Sequence, residues 1–332
     1  MKKKANVYDV AEQAGVSKST VSLVLTNSDK VSKKSREKVL KAIDEVGYVY
    51  NRDAASLRSK KSSLVAVIIN DLTNPFAAKL AIGLEKHLNQ QGMVSMLVNS
   101  GEDLDRQDQL VRTLKEYNVA AFIICPAPET KATWVDNIIR QGFPVISIMR
   151  EVPFSTSPTV IPDNRKGTFL ATEHLLNQGL TKIAFIGGID TISDYHERLS
   201  GYLDAMSKIG SPLPSTYQVQ AKTNRQGGRD AISTLLANEP NVEGIVCFSD
   251  VIAFGAIEKM RILGKKPGEE IKIIGFDDLE DSGLMSPSLS SIHISADKIG
   301  EAACKILCQQ LSNETPEKHT IVDVDIICRD SS

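Results

Sequence analysis

Residues 7–25 read VYDVAEQAGVSKSTVSLVL. Val7, Val10, Ala11 and Ala14 fall at i, i+3, i+4 and i+7, the single apolar stripe of a short amphipathic helix. Asn6 stands where an N-cap is needed, and Gly15 stops the helix. Ser17 then caps a second helix, from Lys18 to about Thr26. A third is expected from a Ser32 cap to Val46, with Val39, Leu40, Ile43 and Val46 facing inward and Gly47 ending it. Two short helices joined by a Gly-containing turn of about three residues, and braced by a third, form a helix-turn-helix.

The second helix of such a motif lies in the major groove of DNA. At about 100° per residue, Val21, Val24 and Leu25 share the core side. Lys18, Ser19, Ser22 and Leu23 share the open side. Lys18 suits guanine O6/N7 or a phosphate, the two serines donate or accept, and Leu23 suits a thymine methyl. Charge agrees with this reading. Residues 1–62 hold fourteen Lys and Arg against seven Asp and Glu, a net of +7, whereas the other residues hold twenty-five against thirty-four, a net of −9. A basic head on an acidic body suggests that the head meets a polyanion and the body does not.

The stretch 7–25, followed by VSKKSREKVLKAIDEVGYVYNRDAASLRSKKS (31–62), resembles the DNA-binding region of the lactose-repressor (LacI/GalR) family without a gap over 6–62. The resemblance implies that Lys18, Ser19 and Leu23 choose the operator sequence. Tyr8, Ser17, Thr20, Ser22 and Asn51 complete the expected DNA-binding set. Many relatives carry Arg where this chain has Leu23, a departure similar to the maltose-regulon type of repressor. Residues 51–62, NRDAASLRSKKS, are on their own a basic connector too poor in apolar residues to fold unaided. In the family this segment is similar to a hinge helix that orders on the operator. By that likeness Leu57 wedges into the minor groove and bends the DNA.

From Leu64 the pattern changes. LVAVII (64–69), VSMLV (94–98), AAFIIC (120–125), PVISIM (144–149), KIAFIG (182–187), GIVCF (244–248) and IKIIGF (271–276) are continuous apolar runs, as in parallel strands covered on both faces. Helical stretches such as NPFAAKLAIGLEKHLNQQG lie between them. The expected fold is α/β, a three-helix helix-turn-helix domain followed by parallel doubly wound sheets, with ligands binding outside the carboxyl ends of the strands. The body also resembles the family's ligand-binding core, itself similar to periplasmic sugar-binding proteins. DLTNPF (71–76), PDN (162–164), HLLNQGLTKIAFIGG (174–188), RLSGY (198–202), SDVIAFGA (249–256) and GFDD (275–278) carry the likeness. It implies a head over 1–50, a hinge over 51–62 and a core over 63–332. The core divides into one lobe of about 63–162 plus 293–321 and another of about 163–292 plus 322–332.

Polar residues at the strand ends are the candidates for lining a cleft between lobes. Phe76 is placed to stack on a sugar ring, and Arg150, Arg198 and Asp277 to bond hydroxyls with charge assistance. Asp71, Asp163 and Ser249 join them. Structural capping or a lobe-to-lobe salt bridge is the competing role for each.

The expected partners are double-stranded operator DNA, a sugar or sugar-phosphate effector and a second copy of the chain in a homodimer. No cofactor and no metal are expected. The five cysteines (Cys125, Cys247, Cys304, Cys308, Cys328) form no C-x-x-C pair and read as small buried hydrophobes. Gly187-Gly188 lacks the full G-x-G-x-x-G spacing, and no P-loop, H-E-x-x-H or G-x-S-x-G occurs, so an enzyme is not expected. A transport-type binding protein fits the core, but not the attached head. No apolar run reaches the roughly 20 residues a membrane helix needs. The start MKKKANVYDVAEQAG does not read as a signal peptide, so a cytoplasmic location is expected.

Overall fold

In the computed structural model, which describes residues 5–26, 28–50, 62–210 and 214–332, the chain divides into two compact units, 1–62 and 63–332. The first contains α1 (Val7–Ala14), α2 (Lys18–Leu25) and α3 (Lys33–Val46). Each starts at the cap its sequence supplies. Asn6 Oδ1 accepts from the Tyr8 and Asp9 amides at 2.8 and 3.4 Å, while the Asn6 amide donates to Asp9 Oδ2 at 2.8 Å. This reciprocal box satisfies the orphan donors of the first turn. Ser17 and Ser32 accept from the amides of Thr20 and Ser35. Gly15 ends α1 at φ 64°, a left-handed conformation that costs glycine little. Val10, Val21 and Val39 are fully buried at the centre of the three helices.

Leu40 departs from expectation: it is 51% exposed, and Ala42 is buried instead. The inward stripe of α3 runs Val39, Ala42, Ile43, Val46, the i, i+3, i+4, i+7 set, and Leu40 stands one residue off it.

The second unit holds two six-stranded sheets. The first is ordered β11-β5-β4-β3-β1-β2, from β1 (Leu64–Ile69), β2 (Val94–Asn99), β3 (Ala121–Ile124), β4 (Val145–Ile148), β5 (Thr159–Pro162) and β11 (His319–Val322), all pairs parallel. Its helices are α4 (Pro75–Gln90), α5 (Leu104–Glu116), α6 (Ala132–Arg140) and α12 (Ala296–Leu311). The second sheet is ordered β12-β10-β9-β8-β6-β7, from β6 (Ile183–Ile186), β7 (Gln218–Val219), β8 (Gly244–Cys247), β9 (Lys272–Asp277), β10 (Ser290–Ile294) and β12 (Val324–Ile327). Only the β10–β12 pair in it is antiparallel. Its helices are α7 (Asn164–Asn177), α8 (Ser193–Met206), α9 (Arg225–Asn238), α10 (Asp250–Ile262) and the short α11 (Glu280–Leu284).

Three crossings therefore join the lobes: between Pro162 and α7, between Ile294 and α12, and between β11 and β12. Residues at the strand ends of both sheets line one cavity. In the first lobe, α4 and α12 approach so tightly that a Cβ on Gly300 would lie 2.5 Å from the backbone of Gly83. Ala66, Ile68, Phe122 and Ile124 pack on the sheet's other face with Val111, Leu114, Val135 and Ile138.

Two expectations need correction here. VSMLV is not covered on both faces: β2 is a sheet edge, with Val94 47% and Leu97 43% exposed. Nor are all cysteines buried. Cys125, Cys247 and Cys304 are, but Cys308, on α12, is half-buried and Cys328, just past β12, is exposed.

Candidate functional site

In the head, Lys18, Ser19 and Ser22 are exposed along one side of α2, and Tyr8 on α1 is 66% exposed. Leu23 is only half-exposed, so part of its side chain packs against the head. Lys18 does not project alone: its Nζ donates to the Tyr8 hydroxyl at 3.0 Å and lies 4.4 Å from that ring's centroid. This cation–π contact holds the ammonium at the N-terminal end of α2. Ser17 and Thr20 serve the cap, their hydroxyls 2.9 Å apart. Asn51 and Leu57 lie outside the described residues.

In the core, six of the seven sequence candidates line one cleft of about 60 Å³ between the lobes: Asp71, Phe76, Arg150, Arg198, Ser249 and Asp277. Asp163 does not join them. It caps α7, accepting from the Lys166 amide at 3.0 Å. The cap claimed the carboxylate because α7 begins at the very next residue.

The cleft also gathers residues that the sequence reading passed over, chiefly Glu102, Asp194 and Phe248. Glu102 and Asp194 matter most. Arg150 Nη1 and Nη2 donate to the two Glu102 oxygens at 2.7 and 2.9 Å, a bidentate pair. Arg150 Nε lies 3.3 Å from Asp194 Oδ1. Arg150 and Glu102 belong to the first lobe and Asp194 to α8 of the second, so this ion pair closes one lobe on the other. Burial works against the charge on Arg150, but Asp194 and Glu102 outweigh it and hold the guanidinium above its ordinary value. Burial also pushes the Cys125 thiol beside them up to about 12, so it stays protonated. A signal for Asp194 was present in the sequence: it precedes Arg198 by four residues, on the same helix face.

Arg198 sits between two aromatic rings, its guanidinium carbon 3.7 Å from the centroid of Phe276 and 4.5 Å from that of Phe248. It donates to Asn164 Oδ1 at 2.8 Å and to the carbonyl of Phe248. Burial lowers its pKa against the pull of Asp277, Asp194 and Glu197.

Asp277 is 4% exposed. Among the described residues its carboxylate has no hydrogen-bond partner and no ion pair within 4.0 Å, Arg198 included. Burial holds it well above the usual carboxylate range, although Arg198 opposes that rise. Its backbone stands at φ 116°, and two other lining residues are also left-handed, Glu102 at 60° and Met149 at 65°. Strain gathered at one spot marks a functional site more often than a structural one. Two more polar atoms here are buried without a hydrogen-bond partner, Asp194 Oδ1 and Ser249 Oγ. Buried polar groups seldom stay unpaired. Both line the same cleft as Asp277.

The remaining candidates hold local structure. Asp71 Oδ1 accepts from the amide and hydroxyl of Thr73, which shapes the turn leading to α4. Phe76 presents a buried ring to the cleft. Among the described residues no three His, Cys, Asp or Glu side chains come together to hold a metal, and no helix is long and apolar enough to cross a membrane.

Comparison with known proteins covers both parts of the chain. Residues 6–51 match the profile described as "Bacterial regulatory proteins, lacI family", and residues 62–329 match "Periplasmic binding proteins and sugar binding domain of LacI family". The chain is 30% identical to the maltose regulon regulatory protein MalI of Escherichia coli (strain K12) over 329 residues, covering 96% of each. Among solved structures it is similar to the transcriptional regulator CelR–cellobiose complex, with TM-score 0.74, 26% identity and coverage of 99% and 100%. In fold it matches the lac repressor dimer bound to operator and the anti-inducer ONPF, with TM-score 0.86, 24% identity and 99% of each chain covered. The chain therefore belongs to the LacI family, as a ligand-responsive DNA-binding transcriptional regulator rather than an enzyme.

Proposed function

We propose that the chain is a homodimeric, cytoplasmic repressor whose two heads read two halves of a near-palindromic operator. A small polyhydroxylated effector of the sugar type, bound between the lobes, alters their closure and so the spacing of the heads. The observation that carries the reading is the interlobe cleft, bridged by Glu102–Arg150–Asp194 and lined by Asp277 and the unpartnered hydroxyl of Ser249. Donor-rich hydroxyls are the groups such a wall pairs with. A phosphate group fits it poorly, because carboxylates there outnumber guanidinium groups. The related CelR is solved with cellobiose.

Exposed apolar residues support the dimer. Ile82 on α4 is 68% exposed and Leu97 of the edge strand 43% in the first lobe, while Ile262, Leu263 and Leu284 are 67%, 48% and 77% exposed in the second. Patches of this kind mark interaction faces. A second copy is the proposed occupant, as in the dimeric neighbour. Ile82→Asp with Leu97→Asp is expected to shift the sedimentation coefficient from dimer to monomer. A double variant that still sediments as a dimer removes this face from the interface.

Operator reading is tested by selecting bound sites from a random DNA library. Wild type is expected to yield a two-half-site motif. Leu23→Arg should move preference toward guanine at one position in each half, since Arg pairs bidentately with O6/N7 and Leu cannot, worth about 1–3 kcal/mol per site. Identical motifs from the two proteins would refute a base-reading role for Leu23.

A further inference from the structure

The cleft is short of positive charge. Four carboxylates line it, Asp71, Glu102, Asp194 and Asp277, against the two guanidinium groups of Arg150 and Arg198. Both guanidinium groups are already engaged, Arg150 bidentately with Glu102 and Arg198 with Asn164 and the Phe248 carbonyl. Asp194 shares Arg150 with Glu102, whereas Asp277 has no ion pair within 4.0 Å among the described residues and feels Arg198 and Lys79 only at longer range.

A second cavity, of about 480 Å³, shares the lining residue Arg150 with the first. Its wall carries Glu129, Glu151, Asp190 and Glu197. His196 stands beside them, its Nε2 donating to the Asp190 carbonyl at 2.7 Å. This vestibule repeats the imbalance of the cleft on a larger scale. Low-dielectric walls of one sign concentrate ligands of the opposite sign and speed their entry.

We propose that the effector is a cation, a polyhydroxylated molecule bearing a protonated amine, attracted by the acidic vestibule and held against Asp277. The proposal rests on the reading of the cleft as the effector site and names the effector's charge. A neutral polyol supplies hydrogen bonds but leaves the carboxyl groups lining the cleft in excess of its guanidinium groups. An ammonium group brings three donors and the missing charge together, and its bonds to carboxylates are roughly twice as strong as neutral ones. An anionic sugar adds like charge to a site already in excess.

Calorimetry on the full chain at pH 7 and low salt distinguishes these cases. The probes are glucosamine, galactosamine and mannosamine, with their parent hexoses, N-acetyl forms and 6-phosphates. At least one amine should bind about tenfold or more tighter than its parent, the gain expected of one charge-assisted bond. The N-acetyl form, which keeps the nitrogen but loses the charge, should fall back to the parent's affinity or below. Added salt should weaken the amine alone. Glu129→Gln combined with Glu151→Gln, at positions exposed and half-buried, should slow amine association severalfold and leave any hexose binding untouched. A parent hexose or hexose phosphate that binds as tightly as the amine overturns the proposal. Hexose binding without amine binding overturns it while leaving a sugar-responsive regulator in place. If no sugar of any charge binds, both readings fall.

Discussion

Asp277→Asn is expected to uncouple operator binding from the effector while leaving the fold at least as stable as wild type. Among the described residues the carboxylate makes no hydrogen bond, so its loss orphans no donor. Asn tolerates the positive φ at this position better than most residues. Burial raises the Asp277 carboxyl well above its usual range, so the uncharged amide also relieves a desolvation cost. Affinity is a different matter. Removing one member of a buried, charge-assisted contact costs roughly 2–5 kcal/mol, a loss of about 30-fold to several thousand-fold. Arg198→Ala should lose affinity similarly but also stability, because Arg198 stacks on Phe248 and Phe276 and bonds Asn164. The measurement is calorimetry with the sugar that most raises the wild-type melting temperature, followed by operator binding with and without it. If the effector releases operator, Asp277→Asn stays bound in its presence. If it strengthens binding, the variant binds weakly throughout. Full affinity in Asp277→Asn would remove this residue from the site.

The head was legible almost to the residue because its information is local. Caps at Asn6, Ser17 and Ser32 and stops at Gly15 and Gly47 act within one turn, and the sequence displays them directly. The error at Leu40 is local as well, one position along a helix carrying more apolar residues than its stripe uses. The core was legible in part. Continuous apolar runs identified β1 to β4, β6, β8 and β9. They did not identify β10, SSIHI, whose Ser290 and Ser291 are completely buried. Those hydroxyls are satisfied by Arg329 and Asp250, each about 40 positions away, and no window of sequence shows such a partner.

The cleft divides in the same way. Looking for polar residues just past the strands found Asp71, Arg150, Ser249 and Asp277, because parallel α/β sheets bring those ends together. It gave Asp163 the same status, although a carboxylate before a helix serves a cap equally well. Glu102 also follows a strand, but its value lies in reaching Arg150. That contact depends on the order β4-β3-β1-β2, which sets the two strands three places apart in the sheet and cannot be read from either segment alone.

Asp250→Ala should be the most damaging substitution outside the glycines, and Asp250→Asn should show why. Asp250 is completely buried at the start of α10. Its Oδ2 accepts from the Leu279 amide at 2.8 Å and the Ser282 hydroxyl at 2.6 Å, and its Oδ1 from the Ser291 hydroxyl at 2.6 Å. One side chain thus fixes the loop after Asp277, the helix α11 and the strand β10. Alanine leaves three buried donors unsatisfied, so a loss on the order of 3–5 kcal/mol follows, with ligand affinity falling as the Asp277 loop loosens. Burial, moderated by the same three donors, raises the Asp250 carboxyl to about 6. Its folded pKa therefore lies above the unfolded value near 3.9, so its stabilising share is whole below about pH 3.9 and is lost as the pH rises through 6. Asparagine retains acceptors and donors without a charge. It should match wild type near pH 4 and exceed it by about 3 kcal/mol above pH 7, since two pKa units amount to that. Thermal melting by circular dichroism across pH 4–8 measures both variants. The one tryptophan, Trp134 of α6, reports the first lobe separately, because its Nε1 is fixed to Asp108 at 2.9 Å. An alanine variant within about 1 kcal/mol of wild type, well below the cost of three orphaned donors, would show that Asp250 does not anchor this loop. A gap between Asn and wild type that stays constant with pH would show that its carboxyl does not titrate near 6.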